Sequence, residues 1–141
     1  MSVIDDLKTY ILTYSSLDSG APVFVDFIGA EPVQYALKPL PGARIVETYL
    51  DGSTLREFPF AFEFAGSTAS EVERMANNGD LEAFADWLES QYEAGTLPTL
   101  DAGKTAEKVE ALGWGYLFQQ GESQTAVYQV QCKLTYQQIA P

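Results

Sequence analysis

From Tyr128 the chain alternates apolar and polar positions without a break. Tyr128, Val130, Cys132, Leu134 and Tyr136 fall on one side, and Gln129, Gln131, Lys133, Thr135 and Gln137 on the other. Successive side chains of a strand point to opposite faces, so this period of two predicts a half-buried strand. Before it, Lys104 to Phe118 reads as extended, with Leu112, Trp114, Tyr116 and Phe118 alternating against Gly113 and Gly115. The QQGESQ stretch turns one strand into the next, so the last third of the chain is predicted to form a long β-hairpin. A different period governs the start. Val3, Ile4, Leu7, Tyr10, Ile11 and Tyr14 recur at helical spacing and predict a helix from Ser2 to about Ser16. Ser2 with Asp5 suits a capping box, and Asp5 and Asp6 complement the positive end of the helix dipole. Gly20 and Pro22 break it.

Val23 to Gly29, VFVDFIG, predicts a strand, followed by a loop containing Pro32, Pro39, Pro41 and Gly42. Ala43 to Leu50 predicts a second strand, closed by a tight turn at Asp51-Gly52. In the third, LREFPFAFEF, Phe58, Phe60, Phe62 and Phe64 share one face and require a cover, while Pro59 points to an edge position or a bulge. Thr68 and Glu71 resemble a capping box opening a short helix that stops around Asn77-Asn78-Gly79. A longer helix is predicted from Asp80 to Ala94. Leu81, Phe84, Ala85, Leu88 and Tyr92 make its buried stripe, Trp87 flanks it, and Gly95 ends it. The order α-β-β-β-α-α-β-β predicts an α+β fold: a mostly antiparallel sheet of about five strands covered by helices. Residues 1–141 read as a single domain, with no internal repeat, linker or low-complexity tract.

Composition narrows the function classes. At 141 residues, 46% hydrophobic and 13% aromatic, the chain can bury a substantial core. Twenty acidic against eight basic residues give a net charge of -12, with no basic run. Phosphate neutralisation by Lys and Arg is what nucleic-acid binding needs, so neither nucleic acid nor an anionic membrane is an expected partner. No apolar run approaches a membrane span. MSVIDDLKTY carries aspartates where a secretory signal carries positive charge, and the single cysteine excludes an internal disulfide. Both point to folding in a cytoplasm.

The chemistry-bearing residues point away from catalysis. With zero histidines, His-based triads, His-ligated zinc and a Cys-His nucleophile are excluded. Cys132 lies mid-strand between Val130 and Leu134, where a free cysteine packs as a small hydrophobe. Gly113-Trp114-Gly115 is not a dinucleotide fingerprint, because Phe118 stands at the third glycine position. Its glycines instead relieve crowding opposite large aromatics or mark a bulge. Gly103-Lys104-Thr105 matches the tail of a P-loop, but Pro98 stands where its first glycine belongs. Glu57 and Glu63 share a strand face yet lie about 20 Å apart, beyond the roughly 5–9.5 Å of glycosidase pairs. No calcium-loop spacing occurs. The expectation is a non-enzyme without cofactor or metal.

The order of segments resembles a family of minor capsid proteins of tailed bacteriophages and prophages, similar to tail terminator, or tail-to-head joining, proteins. The likeness runs across nearly the whole chain. It is carried by the N-terminal amphipathic helix, VFVDFIG, the YLDGS turn, FPFAFEF, FADWLESQ with its LPTL exit, and AVYQVQCKLTY. It implies an α/β subunit forming a ring, commonly hexameric, that ends tail-tube growth and docks to the head. The implied partners are further copies of the chain, tail-tube proteins and head-connector proteins. The implied setting is the bacterial host cytoplasm during assembly and then the virion, and an acidic ring would let DNA slide past. On this reading the glutamine-rich reverse face of the last strand is a contact surface. So are the exposed features outside the core: Asp51, Gly52 and Ser53 in the turn, Arg56 and Glu57 beside it, and the hairpin tip Gln119, Gln120, Gly121, Glu122, Ser123 and Gln124. Two alternatives stay open: a small-ligand-binding or hydrolytic α+β domain whose carboxylates converge in three dimensions, and a bacterial adaptor. An apolar pocket with convergent carboxylates would favour the former.

Overall fold

The computed structural model describes residues 2–14, 23–25, 34–42, 44–67, 71–120 and 125–140. Its backbone is a ladder between two long strands, β4 (Thr54–Ser67) and β7 (Thr125–Gln138). They pair antiparallel through 14 consecutive residue pairs, from Thr54 with Gln138 to Ser67 with Thr125, and no bulge shifts the register. Five shorter strands flank this ladder in one seven-stranded sheet. On the free side of β4, β2 (Gln34–Pro39) covers one end and β3 (Ile45–Thr48) the other. On the free side of β7, β5 (Lys104–Ala111) runs beside β3's end of the ladder and β6 (Tyr116–Gln120) beside the opposite end. β1 (Val23–Val25) pairs with β2 in parallel; every other pairing among the described strands is antiparallel.

The α+β class with a mostly antiparallel sheet is therefore what the structure has, with three differences in detail. β2 lies in the segment read as a proline-rich loop. The extended segment 104–118 is two strands. A single helix, α2 (Glu71–Ala94), replaces the predicted pair. α2 passes straight through Asn77-Asn78-Gly79 because nothing there demands a stop. By contrast, Gly95, just past the helix end, has φ +75, the left-handed backbone that glycine adopts without strain. The predicted Thr68 cap and residues 26–29 of the first predicted strand lie outside the described residues.

α1 (Val3–Ile11) opens with the predicted capping box. Ser2 Oγ accepts from the Asp5 N–H at 3.3 Å, and the Asp5 carboxylate accepts from the Ser2 N–H at 3.2 Å. The Ser2 hydroxyl and then its N–H hold the Asp5 carboxyl below its ordinary value. Leu7, Tyr10, Ile11 and Tyr14 are buried, with Val3 and Ile4 packed at the margin. The helix ends at Ile11, short of the predicted Ser16, in a turn closed by Tyr14 N–H donating to Ile11 O at 2.9 Å.

The four phenylalanines of β4 find their cover in α1 and α2. Phe60, Phe62 and Phe64 are buried with Tyr128, Val130, Cys132, Leu134 and Tyr136 of β7 beneath Leu81, Phe84 and Leu88 of α2, and Phe58 packs at the edge. Phe84 stacks on Phe62 with centroids 4.0 Å apart, and Trp87 meets Tyr14 at 4.8 Å, locking the helices to the sheet and to each other. Pro59 sits in a central strand without harm. The N–H and C=O of one residue point to the same side of an antiparallel strand. Pro59 O accepts from Leu40 N–H at 2.9 Å, on the side where β2 has ended and β3 has not begun. Its missing N–H therefore costs the β7 ladder nothing. Gly42 lies directly on the proline ring, leaving only 2.6 Å between Pro59 Cγ and where a Cβ would stand.

Candidate assembly surfaces

The hairpin from β3 to β4 is built around its turn. Tyr49 N–H donates to Ser53 O at 2.9 Å and Gly52 N–H to Tyr49 O at 3.0 Å, with Gly52 at φ +89. Asp51 Oδ1 accepts from the Ser53 hydroxyl at 2.6 Å and from the Ser53 N–H at 2.9 Å. These two donors, the hydroxyl first, hold the Asp51 carboxyl below its ordinary value. Asp51 and Ser53 are thus committed to shaping the turn, and Ser53 is only 4% exposed. What the turn displays instead is Leu50, with its whole side chain in solvent (109%), beside half-exposed Ile45 and Val46. β3 is exposed at all four positions, so neither of its faces is covered.

Arg56 and Glu57 have local partners. Arg56 Nε donates to Thr54 Oγ1 at 3.0 Å, and the Glu57 carboxylate meets Lys133 Nζ at 2.9 Å across the sheet. The hydrogen bond to Glu57 raises the Lys133 ammonium above its ordinary value. At the other predicted tip, Gln119 and Gln120 close β6, and residues 121–124 lie outside the described residues.

A second exposed apolar surface lies between β5 and β6. Ala111 pairs with Cys132 and Tyr116 with Gln129, so five steps along this segment face three along β7. The excess carries Trp114, 72% exposed, with Leu112 and Leu117 about half exposed close to it in the chain, while Phe118, also about half exposed, packs edge-on against Tyr116 and lies 5.5 Å from Lys38 Nζ. Gly115 anchors the loop. A Cβ there would stand 2.5 Å from Leu81 Cβ, so α2 presses on bare backbone. Gly115 thus relieves crowding, but against the aliphatic Leu81 and not the large aromatics expected opposite the GWG glycines, and the Cβ position of Gly113 is open.

Beneath Trp114, α2 and β5 enclose a groove of about 500 Å³ with Ala85, Tyr92, Val109 and Ala111 in its walls. Asp86, Glu89, Glu93 and Glu110 stand along it. Its one lysine, Lys108, lies 3.6 Å from Glu110, with Nζ 5.2 Å from the Tyr92 ring centroid. Tyr92 is a correction to the predicted buried stripe. The last turns of α2 run beyond the core over β5, so the ring forms a wall of this groove and is 43% exposed. Among the described residues no three of His, Cys, Asp and Glu gather closely enough to hold a metal ion.

The reverse face of the last strand is only partly available for contacts. Gln129 is buried, 2% exposed: its Nε2 donates to Glu63 Oε2 at 3.0 Å and its Oε1 accepts from the Tyr116 hydroxyl at 2.6 Å. Gln131 remains exposed and donates to the same hydroxyl at 3.2 Å. Cys132, on the core face, is fully buried, and burial pushes its thiol far above the usual range. Sequence reasoning missed Leu50 and the groove, and read Trp114 only as one of the alternating residues of the extended segment from Lys104 to Phe118. A signal for the second surface was present: Ala111 to Gly121 is the longest stretch of the chain without a charged residue.

No helix among the described residues is long and apolar enough to cross a membrane. Compared with known proteins, the sequence matches no family model and no curated protein.

Proposed function

We propose that the chain is a structural, non-enzymatic subunit of a tailed-phage particle, a tail terminator or head-tail joining protein. In this reading its copies close into a ring at the head-proximal end of the tail. The observation that carries it is the placement of two exposed apolar surfaces on opposite edges of one sheet, the β3–β4 hairpin beyond β4 and the Trp114 segment beyond β7. Large exposed apolar patches mark interaction sites. Two different patches on opposite edges favour head-to-tail contact, which closes into a ring when the rotation per subunit allows. The resemblance to tail terminator proteins supplies the partners, tail-tube and head-connector proteins, and the bacterial host as the place of assembly. A net charge of -12 suits a lumen through which DNA passes without sticking. The same charge opposes closure between copies, so association strengthens with added salt. Light scattering across protein and salt concentration, then electron microscopy with the tube protein of the same phage, tests the reading. Rings seated on tube ends support it; a monomer under every condition that ignores the tube removes it.

A second reading has one observation in its favour. The groove joins apolar walls to the carboxylates of Asp86, Glu89, Glu93 and Glu110, an arrangement suited to a small cationic ligand. Saturable binding of a small cation by a persistent monomer would put that reading first.

A further inference from the structure

The groove between α2 and β5 joins an apolar floor, open aromatic walls and free carboxylates in about 500 Å³, a volume typical of ligand sites. Val109 at its floor is fully buried, while Tyr92 and Trp114 stand over it, 43% and 72% exposed. Asp86, Glu89 and Glu93 recur at helical spacing along α2, so one stripe of the helix brings all three carboxylates to the groove. Among the described residues the ion pairs are Lys108 with Glu110 and Lys133 with Glu57, which leaves those three without a cation. One cation is already seated there. Lys108 Nζ lies 5.2 Å from the Tyr92 ring centroid, close enough for a cation–π contact, and 3.6 Å from Glu110. Four carboxylates against this single ammonium fix the sign of any further occupant.

We infer that the groove docks an extended, arginine-bearing segment of a partner protein, with one guanidinium stacked on Trp114 and the next paired with Glu89 and Glu93. A guanidinium is planar, weakly hydrated and forked, so it suits an aromatic face and a carboxylate equally. The helix wall, residues 85–93, runs about 12 Å along the helix axis, the length of three or four extended residues. Glu89 and Glu93 are about 6 Å apart along that axis, close to the ~6.6 Å between alternate residues of an extended chain. A second copy is not the occupant. No two of the eight basic residues of this chain lie closer than four positions apart, and that nearest pair includes Lys108, which is already in the groove. The inference is independent of ring closure. It differs from the second reading in taking a protein segment where that reading takes a free small cation.

The probe is the blocked pentapeptide Gly-Arg-Gly-Arg-Gly, titrated into the full chain at physiological salt and followed by NMR shifts of the protein. Light scattering and unfolding midpoints are recorded for every variant. The expected shifts centre on residues 85–93 and 108–114. Trp114→Ala weakens binding about twofold to fivefold, the size of one exposed cation–π contact. Glu89→Gln with Glu93→Gln weakens it about threefold to tenfold. Glu47→Gln with Glu82→Gln removes the same charge from exposed positions outside the groove, and salt screening keeps its effect within about twofold. Lys108→Gln tightens binding, because the groove's own cation no longer competes for Tyr92 and Glu110. The same peptide with citrulline in place of arginine does not bind. Equal binding of the citrulline peptide, or equal weakening by the two pairs of substitutions, overturns the docking site. If a single blocked arginine binds as tightly as the pentapeptide, the groove takes a free cation and the second reading displaces this one. None of these results bears on ring closure, which is read from assembly of the chain itself.

Discussion

Replacing Gly115 by alanine adds one methyl group where there is no room for it. The new Cβ would lie 2.5 Å from Leu81 Cβ, 2.6 Å from Cδ1 and 3.0 Å from Cγ, whereas carbon atoms in contact sit about 3.5–4.0 Å apart. Rotating the Leu81 side chain removes the second and third clashes but not the first, because Cβ is fixed to the backbone. Either α2 or the 112–115 loop must therefore retreat by about 1 Å. Leu81 is 1% exposed and belongs to the same cluster as Phe84 and Leu88, so the movement loosens the helix on the sheet. Overpacking of this kind destabilises by about 1–3 kcal/mol, a fall in Tm of about 3–15 °C for a chain of this length. Gly113→Ala is the control. It lies two residues away, without positive φ and with open space at its Cβ, so alanine there is neutral or stabilises by about 0.4–1 kcal/mol. Urea and thermal unfolding of both variants measure the difference. A Gly115→Ala chain within about 0.5 kcal/mol of the parent, the range of a neutral surface substitution, would refute the close approach of helix and loop.

Other expected outcomes follow from the same packing. Phe84→Ala removes the ring stacked 4.0 Å over Phe62 and lowers stability by about 3–5 kcal/mol, read from urea midpoints; a loss below 1 kcal/mol would mean the helix does not sit there. Cys132 reacts with thiol reagents only as fast as the chain unfolds, since it is fully buried and its thiolate disfavoured; rapid stoichiometric labelling of folded protein contradicts this. Asp51 is held ionised by Ser53, so its folded carboxyl titrates below the ordinary value of about 3.9. Its contribution is complete above that value and disappears as pH falls through the depressed one. Asp51→Asn is accordingly less stable than the parent at neutral pH, with the gap closing below about pH 4. A gap that persists unchanged into that range counts against the Asp51–Ser53 contact.

The elements most legible in the sequence were those whose apolar residues recur at an unbroken period. The closing strand and the phenylalanines of β4 alternate cleanly because each has one face against helices along its length. α1 announced itself through both its stripe and its cap. The misread elements are those where punctuation and packing disagree. Tyr35 and Leu37 alternate with Ala36 and Lys38 across β2, but the prolines around them suggest a loop. In the structure Pro39 merely ends the strand, opposite Phe60. Asn77-Asn78-Gly79 has the composition of a helix stop, yet a glycine inside a helix costs only about 1 kcal/mol, less than the burial of Leu81, Phe84 and Leu88 beyond it supplies. The assembly surfaces were half legible. The Asp51-Gly52 turn was read correctly as a turn, but which residue it would present, Leu50, depends on β3 having neither face covered. The groove is a meeting of α2 with β5, and no local pattern in either element reports the other.

The unbroken pairing of β4 with β7 sets an order of events at the ribosome. Thr125 leaves the peptidyl-transferase centre 58 residues after Ser67 (67 to 125), about 3–12 s later at ordinary rates of synthesis. During that interval the hydrogen-bonding edge that β7 will fill is open along all 14 residues of β4, beside the phenylalanine-rich face that the complete core will bury. Such an edge is a template for pairing with another chain, and long-range strand pairing is slow to form even once both partners exist. Nascent copies on one message therefore carry their greatest risk of mispairing before β7 emerges.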